Sequence, residues 1–291
     1  MTFNPAPGDD PAFAGRDGGP QADASGGSTP LQERIPGQSV ISELLAVHER
    51  DRPQSRLGRV FGADPLGPDS RPWYLGALGE IRVGKILARL GPDWTVLHAV
   101  PVGAGTSDID HVVIGPAGVF TLNTKNHANQ SVWVAGNTLM VAGHRQRHIP
   151  NAAHEASRAA RLLTAAAGEP VAVTGVLVIV GAKTLTVREQ PAGVAVVTDR
   201  QLLRWLTRRK PVLDPVQVAR IGAAACLPGT WHRNPPVPAE TAALHRGFAG
   251  LQQLVDSARR RRIAWALGAL AALLATLIPA AATVLLTVFA P

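Results

Sequence analysis

The arrangement of apolar and polar positions divides the chain into a polar N-terminal part, a middle part of alternating helix and strand patterns, and an apolar C-terminal run. Residues 1–71 are rich in Gly, Pro, Asp and Ser and show little apolar periodicity, which is typical of disordered or linker segments. Within them, residues 39–52 favour one short helix. A second linker with a helical stretch is predicted over residues 232–258.

Residues 72–231 carry the pattern of one α/β domain. The pattern predicts a helix, three strands, a second helix and a further strand, in the order α-β-β-β-α-β. These elements are expected over residues 74–91, 94–100, 109–124 (two strands around GPAG), 151–168 and 171–181, followed by a strand at 193–198 and two short helices. We therefore predict an α/β fold with one mixed sheet and helices on its faces.

The C-terminal run has the length and composition of a membrane span. Four arginines, Arg259–Arg262, precede 28 residues without a charge, 263–290. About 20 apolar residues cross a bilayer core, so this run predicts a transmembrane helix, with a buried core helix as the alternative. Arginines beside a span stay on the cytoplasmic side. We expect residues 259–291 to form a single-pass C-terminal anchor whose folded domain faces the cytoplasm.

The amino-acid composition excludes some kinds of site and favours one kind of partner. Of 291 residues, 46% are hydrophobic, enough for a sizeable core, and the single cysteine excludes an internal disulfide or a multi-cysteine zinc site. Residues 75–231 hold sixteen Lys and Arg against nine Asp and Glu. This surplus favours nucleic acid as a partner through phosphate contacts, and an arginine-rich composition without such a role is the alternative.

A polar cluster is predicted at the open end of one hairpin, within SDIDHVVIGPAGVFTLNTKN (107–126). If Gly115 pairs with Gly118 across a tight turn, Asp110 lies opposite Asn123. Because side chains alternate along strands, Asp110, Asn123 and Lys125 then share one face.

Each of these polar residues could also have a purely structural role. Asp108 and Asp110 could cap a strand, and Lys125 could be solvated. His111 is expected to be packed or hydrogen-bonded rather than a ligand. The segment GHRQRHIP, residues 143–150, could contact phosphate or form an exposed loop.

Glu80 adds a carboxylate from the first helix. It shares a helical face with Val83, Gly84 and Leu87, so it points toward the sheet, and Gly84 would permit close approach to a strand. An inward carboxylate is costly unless it meets a cation, and Glu80 with Asp110 would suit a hard divalent ion. The alternative is a Glu80 at the helix edge, paired with Arg82 or Arg145.

These residues resemble a known family. The dipeptide GE at 79–80, the segment DIDHVVIGPAGVF at 108–120 and the lysine that follows resemble the NERD (nuclease-related) domain of the PD-(D/E)XK nuclease superfamily, over roughly residues 72–231. The resemblance implies a restriction-endonuclease-like core of order α-β-β-β-α-β. It also implies a site of Glu80, Asp110, the residue at 123 and Lys125, in which the acids and position 123 hold Mg²⁺ (or Mn²⁺) and the lysine positions or activates a water.

One position departs from that family. Asn123 stands where an acidic residue is expected, so a metal site of Glu80, Asp110 and Asn123 has one negative charge fewer. In the second helix NAAHE replaces the family's NPxxQ, and Glu155 at the Gln position could return a carboxylate to the site. The sequence therefore predicts a membrane-tethered, metal-dependent nuclease acting on DNA or RNA. The alternative is a catalytically inactive nucleic-acid- or protein-binding module anchored at the membrane.

Overall fold

A computed structural model describes residues 31–51, 54–103, 107–232 and 240–289, with side chains described up to residue 279. The chain divides into two compact units. The first comprises Met1–Ser42 and Pro72–Thr241, and the second comprises Glu43–Arg71 and Ala242–Pro291.

A five-stranded mixed sheet forms the centre of the first unit. Its strands, in the spatial order β1-β2-β3-β7-β9, are β1 (Thr95–Pro101), β2 (Asp108–Gly115), β3 (Gly118–Asn126), β7 (Val173–Val180) and β9 (Val194–Thr198). The first three are antiparallel neighbours, and β7 runs parallel to both β3 and β9. The predicted α/β class and the core order are confirmed.

The expectation of a single sheet is corrected, because the structure contains two. A four-stranded sheet is built from β4 (Ser131–Ala135), β5 (Thr138–Val141), β6 (His144–Gln146) and β8 (Thr184–Glu189), in the order β6-β5-β4-β8. Val132, Val134 and Leu139 of this sheet pack with Leu177 and Ile179 of β7 in one buried cluster. The segment GHRQRHIP, for which a phosphate contact and an exposed loop were the alternatives, contributes β6, an edge strand of the second sheet.

Helices cover both faces of the central sheet. The helices of this part are α3 (Ser70–Leu87), α4 (His148–Ala167), α5 (Asp199–Thr207), α6 (Pro215–Cys226) and α7 (Pro228–Trp231). Helices α3 and α5 bury Val83, Leu87 and Leu202 against Phe120 and Leu122 on one face. Helices α4 and α6 bury Leu163 and Ile221 against the other. Capping follows the sequence: Asp214 accepts from two backbone N–H groups at the start of α6, and Gly168 ends α4 with φ +71°.

The N-terminal part contains more structure than the predicted linker. A 3₁₀ turn (Leu31–Glu33), α1 (Gln38–Arg50) and α2 (Arg56–Phe61) lie within residues predicted as disordered or linker apart from one helix. Leu31 is buried in the cluster that contains Trp231, so the 3₁₀ turn belongs to the core of the first unit, whereas α2 lies in the second unit. The predicted disorder of residues 1–30 lies outside the described residues.

The second unit contains the C-terminal helix α8 (Thr241–Phe289). Among the described residues, it is the one helix long and apolar enough to cross a membrane, judged by length and composition alone. Leu244, Phe248 and Leu251 in its first half are buried, whereas the apolar side chains of residues 263–279, including Ile263, Leu270 and Ile278, are exposed. Helix α2 packs against α8 within this unit, where the indole of Trp265 donates to the Val60 carbonyl at 2.9 Å. The helix is a candidate membrane anchor.

Candidate functional site

The predicted hairpin register is found in the structure. Gly115 pairs with Gly118, and the β2–β3 ladder continues to His111 opposite Leu122. The ladder stops one position before Asp110 and Asn123. There the Asp110 carboxylate accepts a hydrogen bond from the Thr124 backbone N–H at 2.6 Å. Asp110 is therefore fixed to the end of β3, between the positions of Asn123 and Lys125.

Glu80 of α3 points inward, as its helical position predicted. It is 5% exposed, its Oε2 has no hydrogen-bond partner, and the Gly37 backbone N–H bonds its carboxyl group. The alternative pairing with Arg82 is wrong, because Arg82 forms an ion pair with Asp199. A buried carboxyl without a full set of hydrogen-bond donors is costly, and Glu80 is in this condition because its Oε2 has none.

The close approach of α3 to the sheet depends on a different glycine from the one predicted. A Cβ on Gly79 would lie 3.3 Å from Thr124 Cγ2, so it is Gly79 that faces β3. Gly84 faces Pro36 of the N-terminal segment instead, 2.6 Å from Pro36 Cβ for a hypothetical methyl carbon. Both glycines allow other chain segments to approach the helix that carries Glu80.

Helix α4 brings Glu155 to the hairpin. The Asn123 Nδ2 donates to Glu155 Oε2 at 3.2 Å, while Asn123 Oδ1 and Glu155 Oε1 are enclosed and unpartnered. The helix lies close to the sheet at Gly175, where a Cβ would be 2.8 Å from the Ala152 carbonyl oxygen. Glu155 thus joins the residues that the hairpin assembles.

Burial raises the pKa values of the carboxyl groups, and the aspartates add to this effect at their neighbours. Burial, with a further contribution from Asp110, raises the pKa of Glu155 to about 8 and that of Asp108 to about 6. Burial and then Asp110 raise the pKa of Glu80 well above its usual range, and burial raises that of Asp110. Lys125 acts in the opposite direction on Glu80, Asp110 and Glu155. The cluster therefore holds more carboxyl groups than its lysine can keep ionised at neutral pH.

The N-terminal segment contributes groups that the sequence did not indicate. The Ser39 hydroxyl hydrogen-bonds Asp108, and the nearby Arg34 guanidinium, itself 8% exposed, also lowers the pKa of that carboxyl. Arg34 lies among residues of Gly- and Pro-rich sequence without a periodic pattern, so no local signal marked it.

A pocket of about 200 Å³ opens beside Asp108 and Glu155. Asn151, His154 and Arg158 of α4 line it, one or two turns apart on the same helix. The i−4 and i+3 spacing of Asn151 and Arg158 from Glu155 is the sequence signal that places them on its helical face. The pocket gives a small polar ligand access to two of the carboxyl groups.

Two histidine pairs lie nearby. His111 is fully buried, as expected for a packed histidine, and its Nδ1 lies 2.8 Å from His98 Nδ1. His148 stacks on His127 with their Nε2 atoms 3.3 Å apart, and burial and then Lys125 lower the pKa of both rings, that of His148 to about 3. His148 is thus part of the surroundings of Lys125, whereas His144 and Arg145 are exposed on β6.

The donor chemistry of the cluster fits a hard divalent cation. Within the described residues, no group of three or more His, Cys, Asp or Glu side chains is assembled to hold a metal ion. However, enclosed oxygens without a partner remain on Glu80, Asn123 and Glu155. Carboxylate and amide oxygens are the ligands that Mg²⁺ takes in proteins. The metal-binding role of Glu80, Asp110 and Asn123 stays a prediction.

Comparison with known proteins identifies the domain that carries this site. Residues 75–180 match the model of the nuclease-related domain family, NERD. An uncharacterized protein of Bacillus anthracis is 39% identical over 69 residues, which cover 22% of this chain and 31% of that protein. The match thus spans about a third of that relative's length. No solved structure matches significantly. Residues 75–180, which contain Glu80, Asp110, Asn123, Lys125 and Glu155, are a nuclease-related domain, and PD-(D/E)XK nucleases form its wider superfamily.

Proposed function

We propose that this domain is a divalent-metal-dependent phosphodiesterase that acts on DNA or RNA. The observation that carries the proposal is the enclosed carboxyl cluster beside Lys125, in which Glu80 is 5% exposed and has an unpartnered oxygen. Glu80, Asp110 and Asn123 would hold Mg²⁺ or Mn²⁺. A buried cluster of acids that costs folding free energy in the absence of a cation is typical of a site kept for function.

Each residue has a distinct chemical part. A bound divalent cation supplies a water of lowered pKa and neutralises charge on a phosphate oxygen. Asp110 is held in place by the Thr124 N–H, so its carboxylate is oriented before any ligand arrives. Lys125 follows Thr124 in β3. Its ammonium group would orient a water or a phosphate oxygen by donating a hydrogen bond to it.

The surrounding charge supports an anionic substrate. The surplus of sixteen basic over nine acidic residues in 75–231 favours contacts with phosphates, with little sequence preference and strong salt dependence. The candidate anchor α8 would hold the domain at a membrane. With the arginine run on the cytoplasmic side, the domain would face the cytoplasm.

A cleavage assay tests the enzymatic part. The full-length protein in detergent would be incubated with supercoiled plasmid, linear duplex, single-stranded DNA and RNA, in Mg²⁺, Mn²⁺ or EDTA. We expect metal-dependent cleavage that Lys125→Ala abolishes and that Lys183→Ala, which changes an exposed lysine outside the cluster, retains. Equal activity of the parent and Lys125→Ala would refute the assignment of the site.

A second candidate function is a catalytically inactive binding module. The observation that favours it is Asn123, which occupies the acidic position and donates to Glu155. In that case the parent protein binds nucleic acid without cleaving it, and Asn123→Asp gains cleavage. Salt-dependent DNA binding by both proteins, with cleavage only by the variant, would select this function over the first.

The membrane tether has a separate test. Membranes from cells that express the full chain would be floated and washed with high salt and carbonate. Retention of the full chain, and release of a variant truncated after Arg262, would support an anchor in α8. Protease added outside intact cells should leave the domain undigested, and protease added after lysis should digest it. That result would support the proposed orientation.

A further inference from the structure

We propose that Glu155 of α4 is a ligand of the metal site and supplies the carboxylate that position 123 lacks. This inference rests on the proposed function, because it concerns the same cation. It adds a residue outside the hairpin, on a helix that packs across β3 and β7.

The geometry places Glu155 where the missing acid would be. Its Oε2 accepts from Asn123 Nδ2 at 3.2 Å, so its carboxylate reaches the side chain that occupies the acidic position. The approach depends on Gly175, whose missing side chain lets the backbone of α4 at Ala152 lie against β7. Three residues on from Ala152, Glu155 lies on the same side of the helix.

The hydrogen bond to Asn123 does not by itself require an acid. A glutamine at 155 would accept from Asn123 Nδ2 through its amide oxygen and would bring no charge. Instead the chain has a carboxylate whose second oxygen, Oε1, is enclosed without a partner. Such a group is costly in a protein interior unless a cation is close.

Other acidic side chains lie in the surroundings of Glu155. Asp108 lines the same pocket, and Glu80, which is 5% exposed, also has an enclosed oxygen without a partner. A divalent cation held by Glu155 would offset its carboxylate, and the enclosed Asn123 Oδ1 would add a neutral oxygen.

The pocket beside Glu155 offers a route for the ion. It is about 200 Å³ and is lined by Glu155 and Asp108 together with Asn151, His154 and Arg158. The pocket thus leaves space for an ion on the α4 side of Glu155.

Direct measurement of metal binding tests the proposal without any need for turnover. Mn²⁺ would be titrated into the full-length protein in detergent, and free Mn²⁺ would be followed by electron paramagnetic resonance. We expect Glu155→Gln to weaken Mn²⁺ binding by about ten- to a hundredfold. Glu189→Gln, which removes an exposed carboxylate of β8, should bind as the parent does.

A charge-restoring variant separates ligation from a structural effect. The double variant Asn123→Asp/Glu155→Gln moves the carboxylate from the helix to the strand at unchanged net charge, and it keeps complementary groups for the hydrogen bond between the two positions. We expect it to recover Mn²⁺ affinity. Thermal unfolding without metal should show that Glu155→Gln is at least as stable as the parent.

The outcomes distinguish the two proposals. If Glu80→Gln and Asp110→Asn weaken Mn²⁺ binding but Glu155→Gln does not, the role of Glu155 is refuted and the proposed metal site stands. If Glu155→Gln weakens binding and the double variant does not recover it, the ligand role is also refuted. If the parent binds no more Mn²⁺ than Glu80→Gln does, the proposed function itself fails.

Discussion

The Asp110 carboxylate accepts a hydrogen bond from the Thr124 backbone N–H at 2.6 Å, where the β2–β3 ladder has just ended. The Asp110 carboxylate thus accepts a hydrogen bond where the next backbone pair of the ladder would have formed. The bond orients a charged group at the end of the hairpin and leaves the neighbouring Asn123 side chain to reach α4. Asp110 therefore bonds the backbone of β3, whereas Asn123 bonds Glu155 of α4.

Replacement of Asp110 by asparagine should stabilise the protein in the absence of metal. Burial raises the pKa of Asp110, so its ionised carboxylate is costly in the folded protein, and asparagine removes that buried charge while keeping an oxygen for the Thr124 N–H. We expect the free energy of unfolding without metal to rise by about 1 kcal/mol and cleavage to be lost. Urea unfolding in EDTA at pH 8 measures the first effect. If Asp110→Asn is less stable than the parent, contacts in the folded protein stabilise the Asp110 carboxylate and the prediction is wrong.

The raised pKa of Glu155 predicts that stability without metal falls as pH rises. At pH values between its ordinary pKa near 4.5 and about 8, folded Glu155 holds a proton that the unfolded chain has released. The unfolded state then binds fewer protons, so unfolding becomes easier with rising pH, by up to about 1.4 kcal/mol per pH unit for this group.

Urea unfolding of the parent and of Glu155→Gln, in EDTA from pH 7 to 8.5, measures that contribution. The difference in unfolding free energy between the two proteins should grow with pH in favour of the variant. The comparison between them cancels the groups that do not interact with Glu155. A constant difference across this range would contradict a protonated Glu155 in the folded protein.

The hairpin was predictable because local chemistry fixes it. Pro116 sets one backbone angle of the turn, and Gly118 takes φ +122° at its end. Once Gly115 pairs with Gly118, as it does, the alternation of side chains predicts that Asp110, Asn123 and Lys125 share one face. The inward direction of Glu80 followed from its helical face in the same way.

Features that depend on tertiary contacts could not be predicted. Strand β6 has the sequence HRQ, with no apolar residue, and exists because β5 pairs with it. Leu31 and Arg34 are buried although they lie in a segment without periodicity, since their partners come from distant parts of the chain. The pairing of Asn123 with Glu155 requires the packing of α4, which no local pattern records.

Two glycines of α3 should respond to alanine in opposite directions. Alanine is favoured over glycine in a helix by about 1 kcal/mol. At Gly76 the added methyl would lie 3.5 Å from Val40 Cγ1, an ordinary contact, so Gly76→Ala should stabilise the protein. At Gly84 it would overlap Pro36, so the segment around Gly37 must shift, and we expect destabilisation by about 1–3 kcal/mol.

The same shift should reach the carboxyl cluster, because Gly37 bonds Glu80 and Ser39 bonds Asp108. Chemical denaturation of both variants measures the stability effect, and Mn²⁺ titration measures the effect at the cluster. We expect altered Mn²⁺ affinity in Gly84→Ala only. Equal stabilisation by the two substitutions would show that the N-terminal segment does not pack on α3 as described.

The buried pair of His98 and His111 should behave asymmetrically when each is replaced by leucine. Their Nδ1 atoms lie 2.8 Å apart, so one ring donates and the other accepts. His111 is fully buried, and His98 → Leu would leave its Nδ1 unpaired beside an Nε2 that already lacks a partner, at a cost of about 1–3 kcal/mol. His98 is partly exposed and can bond water, so His111→Leu should cost less.

The double variant should be more stable than His98→Leu alone, because it leaves no buried ring nitrogen unpaired. Burial lowers the pKa of His98 to about 4 and that of His111 well below its usual range. Below pH 6.5 the unfolded histidines therefore bind protons that the folded histidines do not bind. The free energy of unfolding of the parent thus decreases as pH falls. Urea unfolding of the parent, both single variants and the double variant at pH 8 and pH 5 gives the coupling and this pH dependence together. Strictly additive effects at pH 8, or an equal loss at pH 5 in the parent and the double variant, would contradict a neutral, hydrogen-bonded pair.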